Sequence, residues 1–358
     1  MRGPILVLGA GAVGSYVGGM LSSSGEDVVL LDPWPAHIEA VSERGIVIET
    51  PEGTINAHPR ALHLCDAHQI ARTPPVLAFL CVKLYDIEWA ATLLNTLVPT
   101  APIVTMQNAL VEETVARIVG WTRTLGAIAS TLHVAMMEPG LVRRSRRRGS
   151  ASPVFKVGEL SGRATPRARA IAELLAKVDT ATVTTQLWDD RWGKLVANAM
   201  ISGLAAISGL PSLEIYRRDD ARCLGVSLAA EAFALGRELG FTLQPLFGIA
   251  AECWLAAASG ERAALGETRR ALEKQSETLA DSAISGTLQD LLKNRRTEVD
   301  YFNGFIAAQG AARGVPTPTH ALLADLIRSM ESGPKRPGEQ HLLALSLSLT
   351  HHSRELGS

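Results

Sequence analysis

The chain has few cysteines, four in all, and no CxxC pair among them. Cys65, Cys81, Cys223 and Cys253 are scattered through 358 residues. That spacing argues against a disulfide framework or a zinc site, and fits reduced thiols in a cytoplasmic protein. No metal site is expected. An excess of one charge is also missing: 35 basic against 36 acidic side chains leave a net charge of −1. There is then no global electrostatic case for a nucleic-acid partner. No apolar run approaches the ~18 residues that suggest a membrane span, so no membrane partner is expected. The N-terminus enters a strand-like run at once, so no signal peptide is expected. Internal repeats are absent. What remains is 47% hydrophobic residues, in a chain long enough for a sizeable core and two domains.

The stretch over residues 4–31 organises the reading. Ile5-Leu6-Val7-Leu8 is a buried-strand run, followed by Gly9-Ala10-Gly11-Ala12-Val13-Gly14 and then a helical pattern. Gly9 allows the turn, Gly11 lets a pyrophosphate approach the backbone, and Gly14 lets helix and strand lie close. The helix start offers free N–H groups and a partial positive charge to phosphates. A glycine pattern alone is weak, because glycines also serve plain turns. Here it sits between two strand-like runs inside about thirty residues, with an acid closing the second strand. The spacing predicts a dinucleotide site made by Gly9, Ala10, Gly11, Ala12, Val13, Gly14 and Asp32. A carboxylate at Asp32 can accept from ribose hydroxyls and repels a 2′-phosphate. Pro33-Trp34-Pro35-Ala36 adds no basic residue to hold one. NAD is therefore favoured over NADP; the plain alternative is that Asp32 caps the helix that follows.

Beyond Asp32 the pattern predicts a helix over 36–44, a hairpin over 46–56, and a central strand over 76–82. A helix over 87–97, a strand over 102–106, a helix from about 111 and a strand over 124–129 follow. Strands alternating with helices give an α/β fold: a doubly wound parallel sheet, with ligands at the carboxyl ends of its strands. Residues 140–158 carry Arg143, Arg144, Arg146, Arg147 and Arg148 and read as an edge hairpin with a solvated basic face; a patch for an anionic ligand is the alternative. A crossover helix over 167–177 and a short strand over 181–185 complete the first domain, 1–188. The second, 189–332, reads as all-α, with one or two long amphipathic helices over 241–285. Residues 333–358 read as a C-terminal extension, mobile or packed on.

Lys83 and Asn108 follow directly on two predicted strands, so both project at the ligand edge. A surface lysine and a turn asparagine are the plain alternatives. Lys194 and Asn198 are four apart and share one helix face, among Leu195, Val196 and Ala197. An amine entering apolar surroundings loses its proton more readily and can donate it near neutral pH. A third cluster, residues 295–304, includes Glu298 on what reads as a core helix; a salt-bridged surface turn is its alternative.

In combination these segments resemble the ketopantoate reductase (2-dehydropantoate 2-reductase) family. The matching pieces are GAGAVGSYVGG at the start, CVKLYD around Lys83, MQNALVEE around Asn108, WGKLVANAM around Lys194, LQDLLKNRRTEVDYFNG around Glu298, and GVPTPTHALL. The resemblance implies a Rossmann domain followed by an all-α domain, with substrate between them. It implies Lys194 as proton donor to a carbonyl oxygen, Asn108 touching cofactor and substrate, and Lys83 as nearby positive charge. Asn198 would bind substrate, Glu298 the cofactor ribose, and Ala135 would lie by the nicotinamide. Three positions depart from the ketopantoate binders: Ser202 and Ser212 stand where asparagines are expected, and Gly286 where a serine is. Ser202 and Gly286 are kept as substrate-side positions. The expected activity is hydride transfer between nicotinamide and a 2-oxo acid or its (R)-2-hydroxy acid, or a related ketone and secondary alcohol, with a homodimer as the assembly. Ketopantoate reduction with NADPH, and a non-catalytic NAD-binding protein, are the alternatives.

Overall fold

A computed structural model describes residues 3–149, 152–277 and 284–355. Residues 150–151, 278–283 and 356–358, parts of three expected segments, lie outside the described residues. The chain divides into two compact units, Met1–Trp188 and Asp189–Ser358.

The first unit contains β1 Ile5–Leu8, α1 Ala12–Ser23, β2 Val28–Asp32, α2 Pro35–Arg44, β3 Ile46–Thr50, β4 Gly53–Ala57, β5 Arg60–His63 and β6 Leu77–Leu80. It continues through α3 Ile87–Leu97, β7 Ile103–Thr105, α4 Glu112–Val119, β8 Thr124–Ala129, β9 Val134–Glu138, β10 Leu141–Arg144, β11 Phe155–Glu159, α5 Pro166–Ala176 and β12 Ala181–Thr184. The main sheet runs β12-β11-β8-β7-β6-β1-β2-β5. From β8 to β5 the neighbours are parallel. At the far end β11 runs antiparallel to β8, so the sheet is mixed rather than wholly parallel. β1 and β6 are buried along their whole length, which is why both read as unbroken apolar runs.

A second sheet, β4-β3-β10-β9, lies across α1 from the first. Two small residues in α1 permit that sandwich. A Cβ on Gly18 would meet Leu30 Cδ2 of the main sheet at 2.5 Å, and one on Gly19 would meet Ile48 Cδ1 of the second at 2.8 Å.

The arginine segment corrects one expectation. β10 is not an edge: it pairs with β3 on one side and β9 on the other. Alternation along the strand leaves Arg143 outside, ion-paired to Glu49 at 2.7 Å, and turns Arg144 inward. Arg144 is 1% exposed, bonds Tyr16 Oη at 2.7 Å and pairs with buried Asp179. Only part of the basic run is therefore a solvated face.

The second unit is helical: α6 Leu187–Ser208, which starts at the end of the first unit, then α7 Ser212–Arg217, α8 Asp219–Glu238, α9 Ala251–Ala258, α10 Arg262–Ser276, α11 Gly286–Leu292, α12 Asn303–Arg313, α13 Pro318–Ser332 and α14 Gln340–Glu355. The long helices expected over 241–285 are shorter. Residues 241–250 form a loop, held by Thr242 N–H donating to Asp189 Oδ1 at 2.9 Å and closed by a bridge between Leu246 and Ile249. Glu298 is not on a helix either. α11 ends at Leu292, Asn294 takes φ 50°, and Glu298 precedes a 3₁₀ turn over Val299–Tyr301. The C-terminal extension packs: Leu342 and Leu345 of α14 are buried, and the helix lies against α8 and α13.

All four cysteines are free. Among the described residues no helix is long and apolar enough to cross a membrane, and no group of three or more His, Cys, Asp or Glu is arranged to hold a metal.

Candidate active site

The first set of expected residues gathers at one edge of the main sheet. β2, β1, β6 and β7 are neighbouring parallel strands, and the chain crosses from one side of β1 to the other between β5 and β6. That reversal is a topological switch point, where open α/β sheets bind ligands. The glycine loop follows β1, Asp32 ends β2, Lys83 follows β6 and Asn108 follows β7. Backbone bonds lace these ends together: Gly9 N–H to Leu31 O, Cys81 N–H to Leu8 O and Met106 N–H to Leu80 O. The side chain of Gln107 adds a bond to Val82 O at 3.2 Å, tying the Asn108 loop to the Lys83 loop. Lys83 and Asn108 are both half-buried. Ala109 takes φ 63°, a left-handed conformation that non-glycine residues hold only when their surroundings enforce it.

The glycines divide the work by geometry. Gly9 has φ 96°, and a Cβ there would lie 2.6 Å from Val82 N. A Cβ on Gly14 would lie 2.0 Å from Gly9 O. Gly11 is different: nothing lies within 4 Å of its missing Cβ. It precedes α1 with no side-chain cap, so the first N–H groups of Ala12, Val13 and Gly14 have no intrahelical acceptor. An open glycine in front of an uncapped helix start suits a pyrophosphate.

Asp32 does not cap α2. Its Oδ2 accepts from Ala10 N–H at 2.7 Å and its Oδ1 from Trp34 N–H at 2.9 Å, so it braces the glycine loop. A carboxylate has about four acceptor sites, which leaves two for ribose hydroxyls. Ala135 lies on β9, the edge strand of the second sheet, opposite Arg143. That strand packs beside α1.

In the second unit Lys194, Asn198 and Ser202 fall one turn apart on α6, each half-buried. Leu195, Val196, Ala199, Met200 and Leu204 on its other faces are core. Ser285, which the sequence did not single out, caps α11 by accepting from Leu288 N–H at 3.2 Å. Its hydroxyl lies 3.4 Å from Ser202 O. This brings Gly286 beside the lower end of the α6 stripe, with no atom within 4 Å of its missing Cβ. Asn303 of α12 donates to Ala199 O at 2.9 Å, so the segment carrying Glu298 leads into a helix docked on α6. Ser212 opens α7, half-buried. Three further residues escaped the sequence reading, Ser15, His37 and the ring of Trp34. They pack behind the glycine loop.

A glycine loop at the switch point, with an acid closing the next strand and a helical unit following, defines a dinucleotide-binding architecture. The family model "Ketopantoate reductase PanE/ApbA" matches residues 5–159, and "Ketopantoate reductase PanE/ApbA C terminal" matches residues 186–331. The chain belongs to the ketopantoate reductase family, and is an NAD(P)-dependent oxidoreductase acting on CH–OH groups. The 2-dehydropantoate 2-reductases of Pyrococcus horikoshii and Archaeoglobus fulgidus are each 26% identical; the matches cover 92% of this chain and 97% and 98% of theirs. A PanE/ApbA family ketopantoate reductase from Ralstonia eutropha superposes with TM-score 0.74 at 25% identity, covering 92% of this chain and 98% of its own. A D-mandelate dehydrogenase with NADH and anilino(oxo)acetate superposes with TM-score 0.76 at 21% identity and the same coverage.

Proposed function

We propose that the protein interconverts a 2-oxo acid and its (R)-2-hydroxy acid, with Lys194 exchanging the proton. The observation that carries this reading is the stripe Lys194, Asn198, Ser202, half-buried along a helix whose other faces are core. The nicotinamide supplies or accepts a hydride when bound. In reduction the carbonyl oxygen gains negative charge, and the Lys194 ammonium stabilises that charge and gives up a proton to it. Asn198 and Ser202 orient the substrate. Lys83 and Asn108 add positive charge and a hydrogen-bonding amide at the sheet edge. Gly9, Ala10, Gly11, Ala12, Val13 and Gly14 receive the pyrophosphate, with Ala135 near the nicotinamide and Glu298 on a ribose.

NAD is the favoured cofactor, supported by the Asp32 carboxylate and the lack of a basic residue in Pro33-Trp34-Pro35-Ala36. Ser202, Ser212 and Gly286 support a substrate other than ketopantoate. The names of the curated relatives favour a second reading, 2-dehydropantoate reduction with NADPH. Initial rates on ketopantoate beside a panel of 2-oxo acids, with each coenzyme, separate the two: preference for ketopantoate and NADPH overturns the first. In Lys194→Ala, turnover is expected to fall at least ~10²-fold with NADH affinity nearly unchanged. Unchanged turnover removes Lys194 as the donor. We also infer a cytoplasmic homodimer; exposed Leu292, Leu343 and Leu347 of the helical unit support the dimer, and light scattering tests it.

A further inference from the structure

Ala10 lies in the loop that faces the phosphates in the reading above, and both ends of it are held. Its N–H donates to Asp32 Oδ2, and its carbonyl accepts from Ser15 Oγ at 2.7 Å. Ser15 is fully buried. With its own hydrogen given to Ala10, Ser15 Oγ can only accept from its other neighbour, His37 Nε2 at 3.0 Å. Across the ring, His37 Nδ1 lies 3.1 Å from the backbone N–H of Gly140, which can only donate. The tautomer is thus fixed from both sides: Nδ1 carries no proton, Nε2 carries one, and the ring is neutral. The relay runs from Gly140 N–H through His37 and Ser15 to the Ala10 carbonyl. It joins the turn between β9 and β10 to α2, α1 and the glycine loop.

We propose that His37 is a positioning residue for the dinucleotide: it latches the Gly140 turn to the glycine loop, and holds the loop only while its ring is neutral. The proposal rests on the dinucleotide reading of that loop. A proton on Nδ1 would set two N–H donors against each other at the Gly140 contact. The bond there is lost, and the Ala10 peptide is no longer held from behind.

The surroundings decide which form prevails. Asp32, at the end of β2, favours the charged ring, but burial outweighs it and holds the imidazole below its ordinary range. Just before α2, Trp34 stacks on the ring with centroids 5.4 Å apart, and Arg44 at the end of α2 donates to Pro139 O at 2.9 Å beside the Gly140 turn. α1 presents Ser15, and its neighbour Tyr16 is bonded to Arg144. The hairpin presents the Gly140 backbone, with exposed Glu138 one residue before Pro139.

The test compares NADH dissociation constants of the full-length wild type, His37→Gln and His37→Leu from about pH 8 to about pH 5, with circular dichroism at each pH. Glutamine offers the same pattern, an oxygen for Gly140 N–H and an N–H for Ser15, but does not titrate. Wild-type affinity should fall about three- to tenfold toward the acid end, the effect of one lost hydrogen bond. His37→Gln should match the wild type near pH 8 and stay flatter in acid. His37→Leu should be weaker by a similar factor throughout. Coincident acid profiles for wild type and His37→Gln overturn the proposal, as does a His37→Gln protein that binds as weakly as His37→Leu, or a folded His37→Leu protein that binds as the wild type does. Should His37→Leu fail to fold, the wild-type and glutamine profiles decide alone. Wild type that binds neither NADH nor NADPH overturns the dinucleotide reading and this proposal with it; NADH binding with coincident profiles overturns this proposal only.

Discussion

Gly11 and Gly14 belong to one motif, yet their surroundings differ. A methyl on Gly14 collides with the Gly9 carbonyl, a backbone atom at 2.0 Å that cannot swing aside. Gly14→Ala should therefore lose both stability, by about 1–3 kcal/mol as overpacking does, and NADH binding. A methyl on Gly11 meets no atom of the protein within 4 Å. Gly11→Ala should unfold at the wild-type temperature and still bind NADH poorly, because the methyl would occupy the face proposed to receive the phosphates. Thermal unfolding beside an NADH titration reads both, and a Gly11→Ala protein with wild-type affinity counts against the loop as phosphate site. These glycines were legible because the motif is local, six consecutive residues between two apolar runs. The His37 relay was not. Its partners Ser15 and Gly140 lie 22 and 103 positions away, and only folding brings a helix, a hairpin turn and the loop to one ring.

Four helices of the second unit meet at another neutral histidine. Asn303 of α12 donates to Ala199 O of α6 and to His320 Nδ1 of α13, the latter at 3.0 Å, and His320 Nε2–H donates to Leu228 O of α8 at 2.9 Å. His320 is fully buried, and burial pushes its pKa down to about 4. The folded state then binds a proton less readily than the unfolded chain, whose histidine titrates near 6.5. Stability from this residue is full above about pH 6.5, falls as pH drops, and levels off near pH 4, a loss of about 3 kcal/mol. Denaturant unfolding of wild type and His320→Gln across that range should show the wild-type excess shrinking in acid; parallel curves would exclude His320 as the source. Element type was largely readable, because strand and helix periodicities are written locally. The errors fall where tertiary pairing decides. Arg144 is turned inward only because β10 gains β3 as a neighbour from far away in sequence, with Asp179 and Tyr16 waiting beneath. The loop over 241–250 replaces helix where Thr242 binds Asp189 and Pro245 and Gly248 interrupt an otherwise helical composition.

Across the whole molecule, the two proposed tasks fall in different compact units: dinucleotide phosphates on residues of Met1–Trp188, proton exchange on Lys194 of Asp189–Ser358. Each unit buries its own apolar residues, β1, β2 and β6 with α1 in one, and α6 with α8 and α13 in the other. That division makes ligand stabilisation and turnover separable quantities. NADH at about a hundredfold its dissociation constant should stabilise the native state by about 2.7 kcal/mol. For a unit of this size that raises the unfolding temperature by about 5–10 °C. Lys194→Ala, with catalysis lost, should show the same upward shift as the wild type, since its phosphate loop is intact. Gly14→Ala, with Lys194 intact, should show none. Calorimetry with and without NADH measures all three. A Lys194→Ala protein that NADH fails to stabilise would mean that Lys194 holds the coenzyme rather than serving the substrate oxygen, and its role would have to be reassigned.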